Sequence, residues 1–172
     1  FRGIARRMQL VGEVRGIRVY DDFAHHPTAI ATTLDGLRRR AGAGTIAAGR
    51  VGAGRIVAVL EPRSNTMRMG VHREALAPSL AAADEVWLYA PADLGWDAGE
   101  VVRALGARGK LAAAIDPLAA ELAASLHEGD SVVIMSNGGF GGLHGKLLAA
   151  LKRRFAATEM GRGRENAGEH SE

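Results

Sequence analysis

Two carboxylates, two imidazoles and a proline crowd one short stretch, Tyr20-Asp21-Asp22-Phe23-Ala24-His25-His26-Pro27-Thr28. Asp and His are poor packing residues, because a buried carboxylate needs a partner and a buried imidazole needs one for each ring nitrogen. Their concentration points to a ligand, and hydrogen bonding to a substrate or a phosphate is the natural chemistry. No metal is expected, since no His-x-x-x-His spacing or third ligand accompanies His25 and His26. A lone Asp before a helix is ordinarily a turn or N-cap residue; the adjacent His pair favours the ligand instead.

Two further stretches could do chemistry. In Glu61-Pro62-Arg63-Ser64-Asn65-Thr66-Met67-Arg68 the arginines stand among Ser, Asn and Thr, a donor-rich loop suited to carboxylates, although solvated surface charge is the usual fate of Arg. In Ser136-Asn137-Gly138-Gly139-Phe140-Gly141-Gly142 the glycines would let backbone N–H groups approach an anion, or simply make a tight turn into a helix. The loop matches neither G-x-x-x-x-G-K-[ST] nor a G-x-G-x-x-G opening a first βαβ unit, so nucleotide binding does not follow from it alone.

The elements that must position these residues alternate. Met8 to Glu13 and Gly16 to Tyr20 read as a hairpin with Gly16 in the turn. Pro27 suits the first turn of a helix whose apolar positions Ala29, Ile30, Thr33, Leu34 and Leu37 recur until Arg38-Arg39-Arg40, which favour its C-terminal end. Ala41 to Gly54 lacks periodicity and reads as a loop or insertion. Ile56 to Leu60 is a continuous apolar run of the kind a central parallel strand needs. A helix over about Gly70 to Ala83, a strand over Glu85 to Ala90, a helix over Ala98 to Ala107 and a short strand over Lys110 to Ala114 follow. Asp116-Pro117 has the N-cap and N1 chemistry of a helix reaching about His127, Ser131 to Met135 is the last strand, and Leu143 to Arg153 the closing helix. Beyond about Ala156 the apolar period stops and a disordered tail is expected.

This order implies an α/β fold, a doubly wound, mostly parallel sheet flanked by helices, whose ligands bind outside the carboxyl ends of the strands. Each polar stretch directly follows a strand, so all three should lie on one edge of the sheet and share one site.

The chain has 172 residues, the size of one ordinary domain, with 47% hydrophobic and 24% charged residues. It has no Cys, which removes disulfides, thiolate metal sites and thiol nucleophiles and fits a cytoplasmic protein. The net charge of +3 is modest and the arginines do not line one aromatic-studded surface, so no nucleic-acid partner is expected. No window approaches the roughly 18 apolar residues of a membrane span. Because the chain opens on Phe1 with a strand soon after, we expect a piece of a longer protein.

Tyr20 to Ile30, with Arg6-Arg7 upstream, resembles the C-terminal domain of the Mur ligases, which build the peptide stem of bacterial peptidoglycan. The resemblance runs from about Arg2 to Leu151, giving an expected domain over 1–155 and a tail over 156–172. The second and third motifs resemble the family branch that joins UDP-N-acetylmuramate to the tripeptide L-Ala-γ-D-Glu-meso-diaminopimelate in peptidoglycan recycling. The first motif is shared with the branch that adds L-alanine.

The resemblance implies an ATP-dependent amide bond made through an acyl phosphate. The UDP-binding and central ATPase domains lie outside this chain, and the Mg ligands are expected mainly on the central one. It implies that Arg7 contacts the nucleotide and Asp21 holds the ATP ribose, with His25 and His26 near the γ-phosphate and the incoming amine. Arg63, Ser64, Asn65 and Arg68 would grip the cell-wall peptide, with Ser136, Asn137 and Gly138 bordering the same pocket. The loop after Glu61 departs from the L-alanine branch in spacing, and the Asp-Asn-Pro-Arg signature of the related tripeptide-building ligase is absent. A non-catalytic nucleotide-binding domain and a His/Asp hydrolase are the alternatives from other classes.

Overall fold

The computed structural model describes residues 7–47 and 54–168. Strands β1 (Gln9–Val14) and β2 (Ile17–Asp22) form an antiparallel hairpin. Arg15 and Gly16 turn it with φ of 51° and 77°, the left-handed pair that matches the twist of a two-residue hairpin. Then come α1 (Pro27–Ala47), β3 (Ile56–Leu60), α2 (Asn65–Arg68), α3 (Arg73–Ser79) and β4 (Glu85–Tyr89). The chain continues through α4 (Gly99–Leu105), β5 (Gly109–Ala112), α5 (Ile115–Ser125), β6 (Ser131–Met135) and α6 (Leu143–Gly168).

The strands form one six-stranded sheet in the order β1-β2-β6-β3-β4-β5, parallel throughout except for β1 at the edge. This is the doubly wound α/β arrangement expected. Period-two alternation sends Ile56, Ala58 and Leu60 to one face, against Ile30, Leu34 and Leu37 of α1 and Val101 of α4. Val57 and Val59 go to the other face, against Leu118 and Leu122 of α5 and Leu147 and Leu151 of α6. Both faces of the central strands are therefore dry, which is why β3 and β6 read as unbroken apolar runs.

Four elements differ from their sequence reading. Helix α1 continues through Ala47, so the first part of the Ala41 to Gly54 loop is helical, and residues 48–53 lie outside the described residues. Alanine needs no apolar period to stay helical. The helix expected over Gly70 to Ala83 is confined to α3, and Gly70, whose φ of 74° a helix cannot contain, separates it from the short α2 that precedes it. The N-cap of α5 is Ala114, and Asp116, the second residue of the helix, accepts a bond from Lys146 of α6. Finally, α6 runs to Gly168 where a disordered tail was expected from Ala156. Residues 156–163 show no apolar stripe because they are exposed, and Arg15 of the hairpin turn pairs with Glu159 at 3.4 Å.

The end of β2 is fastened by Asp22, whose side chain is buried. Its Oδ2 accepts the Met8 N–H at 2.9 Å, ahead of β1, while Oδ1 accepts the Ala24 N–H at 2.7 Å and the Thr33 hydroxyl of α1 at 3.2 Å. One carboxylate thus joins the chain's entry, the β2–α1 loop and the second turn of α1. Asp21 points to the opposite face, where its Oδ1 meets Nε2 of His144 on α6 at 2.9 Å.

At the opposite edge of the sheet the charges are paired. Arg55, entering β3, donates to Asp130 at 2.8 Å and to Glu85 at 3.1 Å, and both carboxylates raise its pKa. Asp84 accepts the Ile56 N–H and the Arg38 guanidinium, each at 2.7 Å. Burial pushes the Asp84 carboxyl up, but these bonds together outweigh it and hold the group below its ordinary value.

Two outcomes follow for stability. Asp22→Ala orphans three donors and should lower the unfolding free energy by about 3 kcal/mol, against about 1 kcal/mol for Asp21→Ala, as read by urea denaturation. A carboxylate depressed by folding contributes stability above its unfolded pKa, which is lost as pH falls through the folded one. The urea midpoint should therefore drop as pH falls below 3.8, with Arg38→Ala removing part of that dependence.

Candidate functional site

The parallel register puts Asp22, Met135 and Leu60 side by side at the ends of β2, β6 and β3. Just beyond this line the loops are tied to one another. The Ser136 N–H donates to the Asp22 carbonyl at 3.2 Å and the Glu61 N–H to the Met135 carbonyl at 3.0 Å. The three polar stretches singled out in the sequence therefore begin on one edge of the sheet, as expected of a doubly wound fold.

On the α1 side, the entry segment, the β2–α1 loop and one face of α1 enclose a cavity of about 470 Å3. Arg7, Asp22, His25 and His26 line one part of it, while Thr28, Thr32, Gly36 and Arg40 contribute a stripe at four-residue spacing. The volume falls in the range of small-molecule sites, roughly 300–1,000 Å3. His26 is the residue before α1, and its Nδ1 accepts the Ala29 N–H at 3.4 Å, while Pro27 occupies the first helical position. With Nδ1 accepting, Nε2 of neutral His26 is left as a donor. His25 engages the Phe23 carbonyl through Nδ1 at 2.9 Å, leaving Nε2 of its neutral form as an acceptor. The two rings lie edge to face, 5.3 Å apart, and the Nε2 atoms of the two neutral imidazoles differ in role, a donor on His26 and an acceptor on His25.

On the α6 side the groups are smaller and tighter. Ser136 is fully buried, donates to Glu61 Oε1 at 2.6 Å and accepts the Gly138 N–H at 3.0 Å. Arg63 lies across Gly138 so closely that a Cβ there would come within 2.7 Å of its side chain, which would have to swing aside. Ser64 caps α2, its hydroxyl accepting the Met67 N–H at 3.3 Å, and Trp96 donates to the Met67 carbonyl at 2.7 Å and pins the segment. Asn137 Oδ1 is buried with no hydrogen-bond donor among the described residues.

The structure thus gathers Arg7, His25 and His26 around one cavity, and Arg63, Ser136 and Gly138 around the neighbouring loop. It separates Asp21 from the cavity, because successive strand residues face opposite sides and Asp21 is turned to His144. Ser64 is used in capping. Asn65 and Arg68 belong to α2, and their side chains lie outside the described residues. Three residues were missed in the sequence: Asp22, whose side follows from the period of two; Arg40, four residues apart in series with Thr28; and Glu61, the first residue past β3.

Residues 6–138 match the family model described as "Mur ligase, glutamate ligase domain". The chain is 46% identical over 159 residues to the UDP-N-acetylmuramate–L-alanyl-γ-D-glutamyl-meso-2,6-diaminoheptandioate ligase of Escherichia coli K12, covering 92% of this chain and 33% of that protein. It is 33% identical over 169 residues to the UDP-N-acetylmuramate–L-alanine ligase of Mycobacterium sp. strain JLS, covering 95% of this chain and 33% of that protein. A crystallised domain from a putative ligase of the first kind from Haemophilus ducreyi superposes with a TM-score of 0.68 at 41% identity, covering 84% of this chain and 99% of the domain. The chain spans about a third of the length of the curated relatives it matches. It belongs to the Mur ligase family, of which it carries the glutamate ligase domain.

Proposed function

We propose that this chain is the C-terminal domain of a cytoplasmic, ATP-dependent ligase that joins UDP-N-acetylmuramate to the tripeptide L-Ala-γ-D-Glu-meso-diaminopimelate. The muramyl carboxylate becomes an acyl phosphate, and the peptide amine displaces phosphate from it to form the amide. The observation that carries the choice of peptide is the 46% identity to the E. coli tripeptide-type ligase against 33% to the L-alanine enzyme, over nearly the same residues.

The cavity beside α1 suits the nucleotide. Arg7 and Arg40 supply positive charge and His26 Nε2 a donor, while Asp22, its carboxylate taken up by three donors from the chain, holds the walls in place. Among the described residues no group of three or more His, Cys, Asp and Glu is placed to hold a metal ion. Magnesium would be held by the nucleotide phosphates and the central domain. Arg63, over Gly138, suits a peptide carboxylate, which a planar guanidinium can bind through two parallel bonds. Arg68 and Asn65 share its segment, and His25 adds an acceptor at the cavity wall. What this domain contributes is positioning: it holds ATP and peptide so that the other domains bring the muramyl group to them.

Given UDP-N-acetylmuramate and ATP, the full-length enzyme should use the tripeptide over L-alanine by roughly 100-fold or more in kcat/KM. A preference for L-alanine would assign it to the other branch, and ATP-independent behaviour with neither product would refute the ligase function. Within that enzyme, Arg7→Ala should raise KM for ATP by about 10-fold and leave KM for the peptide nearly unchanged, while Arg63→Ala should do the reverse. Parallel losses in both constants would count against the division of the two faces.

A further inference from the structure

Glu61 stands out among the shielded carboxylates. Glu85 and Asp130 meet Arg55, Asp84 meets Arg38, Asp21 meets His144, and Asp22 accepts three donors. Glu61, partly buried at the end of β3, has one side-chain partner among the described residues, the Ser136 hydroxyl on Oε1 at 2.6 Å, and no cation. That hydroxyl is itself fixed by the Gly138 N–H at 3.0 Å, so the carboxylate is aimed rather than free. One residue on from Ser136, Asn137 Oδ1 is a second acceptor with no donor among the described residues. A buried acceptor left without a donor is unfavourable, and a part-exposed carboxylate with only one internal donor keeps acceptor capacity for a ligand. Both acceptors sit at the edge where a doubly wound sheet binds ligands.

A primary ammonium answers both, since it carries one positive charge and three donors with no acceptor of its own. The neighbouring Arg63 supplies the opposite sign. The corner therefore offers acceptors for an ammonium next to a cation for a carboxylate, which fits the two ends of an unblocked peptide.

We propose that Glu61, aimed by Ser136 and assisted by Asn137, binds the ammonium of the incoming peptide, the group whose nitrogen forms the new amide. This rests on the ligase function proposed above. It gives the amine to the Glu61 corner and leaves the His25–His26 pair to the α1 cavity. Ser136 is then a positioning residue that acts through Glu61.

The test uses the full-length enzyme, the tripeptide, and the same peptide lacking its N-terminal amine. Glu61→Gln keeps the size and an oxygen to accept the Ser136 hydroxyl but removes the charge. The wild-type enzyme should bind the amine-bearing peptide about 10- to 100-fold more tightly than the des-amino peptide in calorimetry, the range expected of one charge-assisted contact. E61Q should bind both alike, lose a similar factor in peptide KM, and keep its KM for ATP. Ser136→Ala, which removes the aim but not the charge, should fall between them. Undiminished discrimination by E61Q, in an enzyme whose wild type ligates the tripeptide, overturns the role of Glu61 alone. A wild type that neither binds nor ligates the tripeptide overturns the ligase function and this assignment with it. Weaker binding of both peptides by E61Q to the same degree would mark a merely structural residue and also overturn it.

Discussion

The constraint on which the rest depends is the Asp22 carboxylate. A buried charge is tolerable only with donors around it, and Asp22 receives them from three separate places: Met8 ahead of β1, Ala24 in the loop, and Thr33 on α1. Those bonds set where the chain enters the fold, how sharply it leaves β2, and how α1 lies over the sheet. The cavity beside α1 is walled by the same three segments. The group that holds the walls together is also part of the wall, so the shape of the cavity and the stability of the β2 end are one property.

The two edges of the sheet use charge in opposite ways. At the end where β3 and β6 begin, Arg55 is shared by Asp130 and Glu85 and also donates to the Ser125 carbonyl, and the Asp130 carboxylate accepts the His127 N–H. Among the described residues these groups are answered from within the chain. At the end where the same strands finish, Glu61 lacks a cation and Asn137 Oδ1 lacks a donor among the described residues. Unanswered groups weaken a fold, and on the ligase function proposed above their place at the strand ends is preorganisation for a ligand.

Much of this was legible in the sequence, for identifiable reasons. Apolar runs such as Ile56 to Leu60 and the Pro27 start of α1 mark elements directly, and once strands and helices alternate, the end of each strand falls on one edge. The faces taken by Asp21 and Asp22 were also available, since a period of two counted from buried Val19 sends Asp21 to the α6 face and Asp22 to the α1 face. Glu61 was overlooked beside the arginines of its own loop, because its significance lies in a partner 75 residues away. The helical extent of α1 and α6 was not legible: their last turns carry no apolar period, and Gly42, Gly44, Gly161 and Gly163 speak against a helix by propensity.

β6 decides how two ligands can share so small a region. It enters between β2 and β3, so its end residue Met135 is flanked by Asp22 and Leu60, and the loop after it is bonded to both neighbours. Side chains alternate across this line, which puts Asp22 with α1 and its cavity, and Asp21 with α6. Neighbouring strands are separated by about 4.8 Å, so the Asp22 and Glu61 positions are only about 10 Å apart. On the ligase function proposed above, nucleotide and peptide would occupy the two sides of a divider one strand thick. A shift of the Ser136 loop would then be felt by both through the Asp22 carbonyl and the Glu61 carboxylate. Coupling between the two substrates needs no long path in such an arrangement, because a single turn of backbone touches both sites.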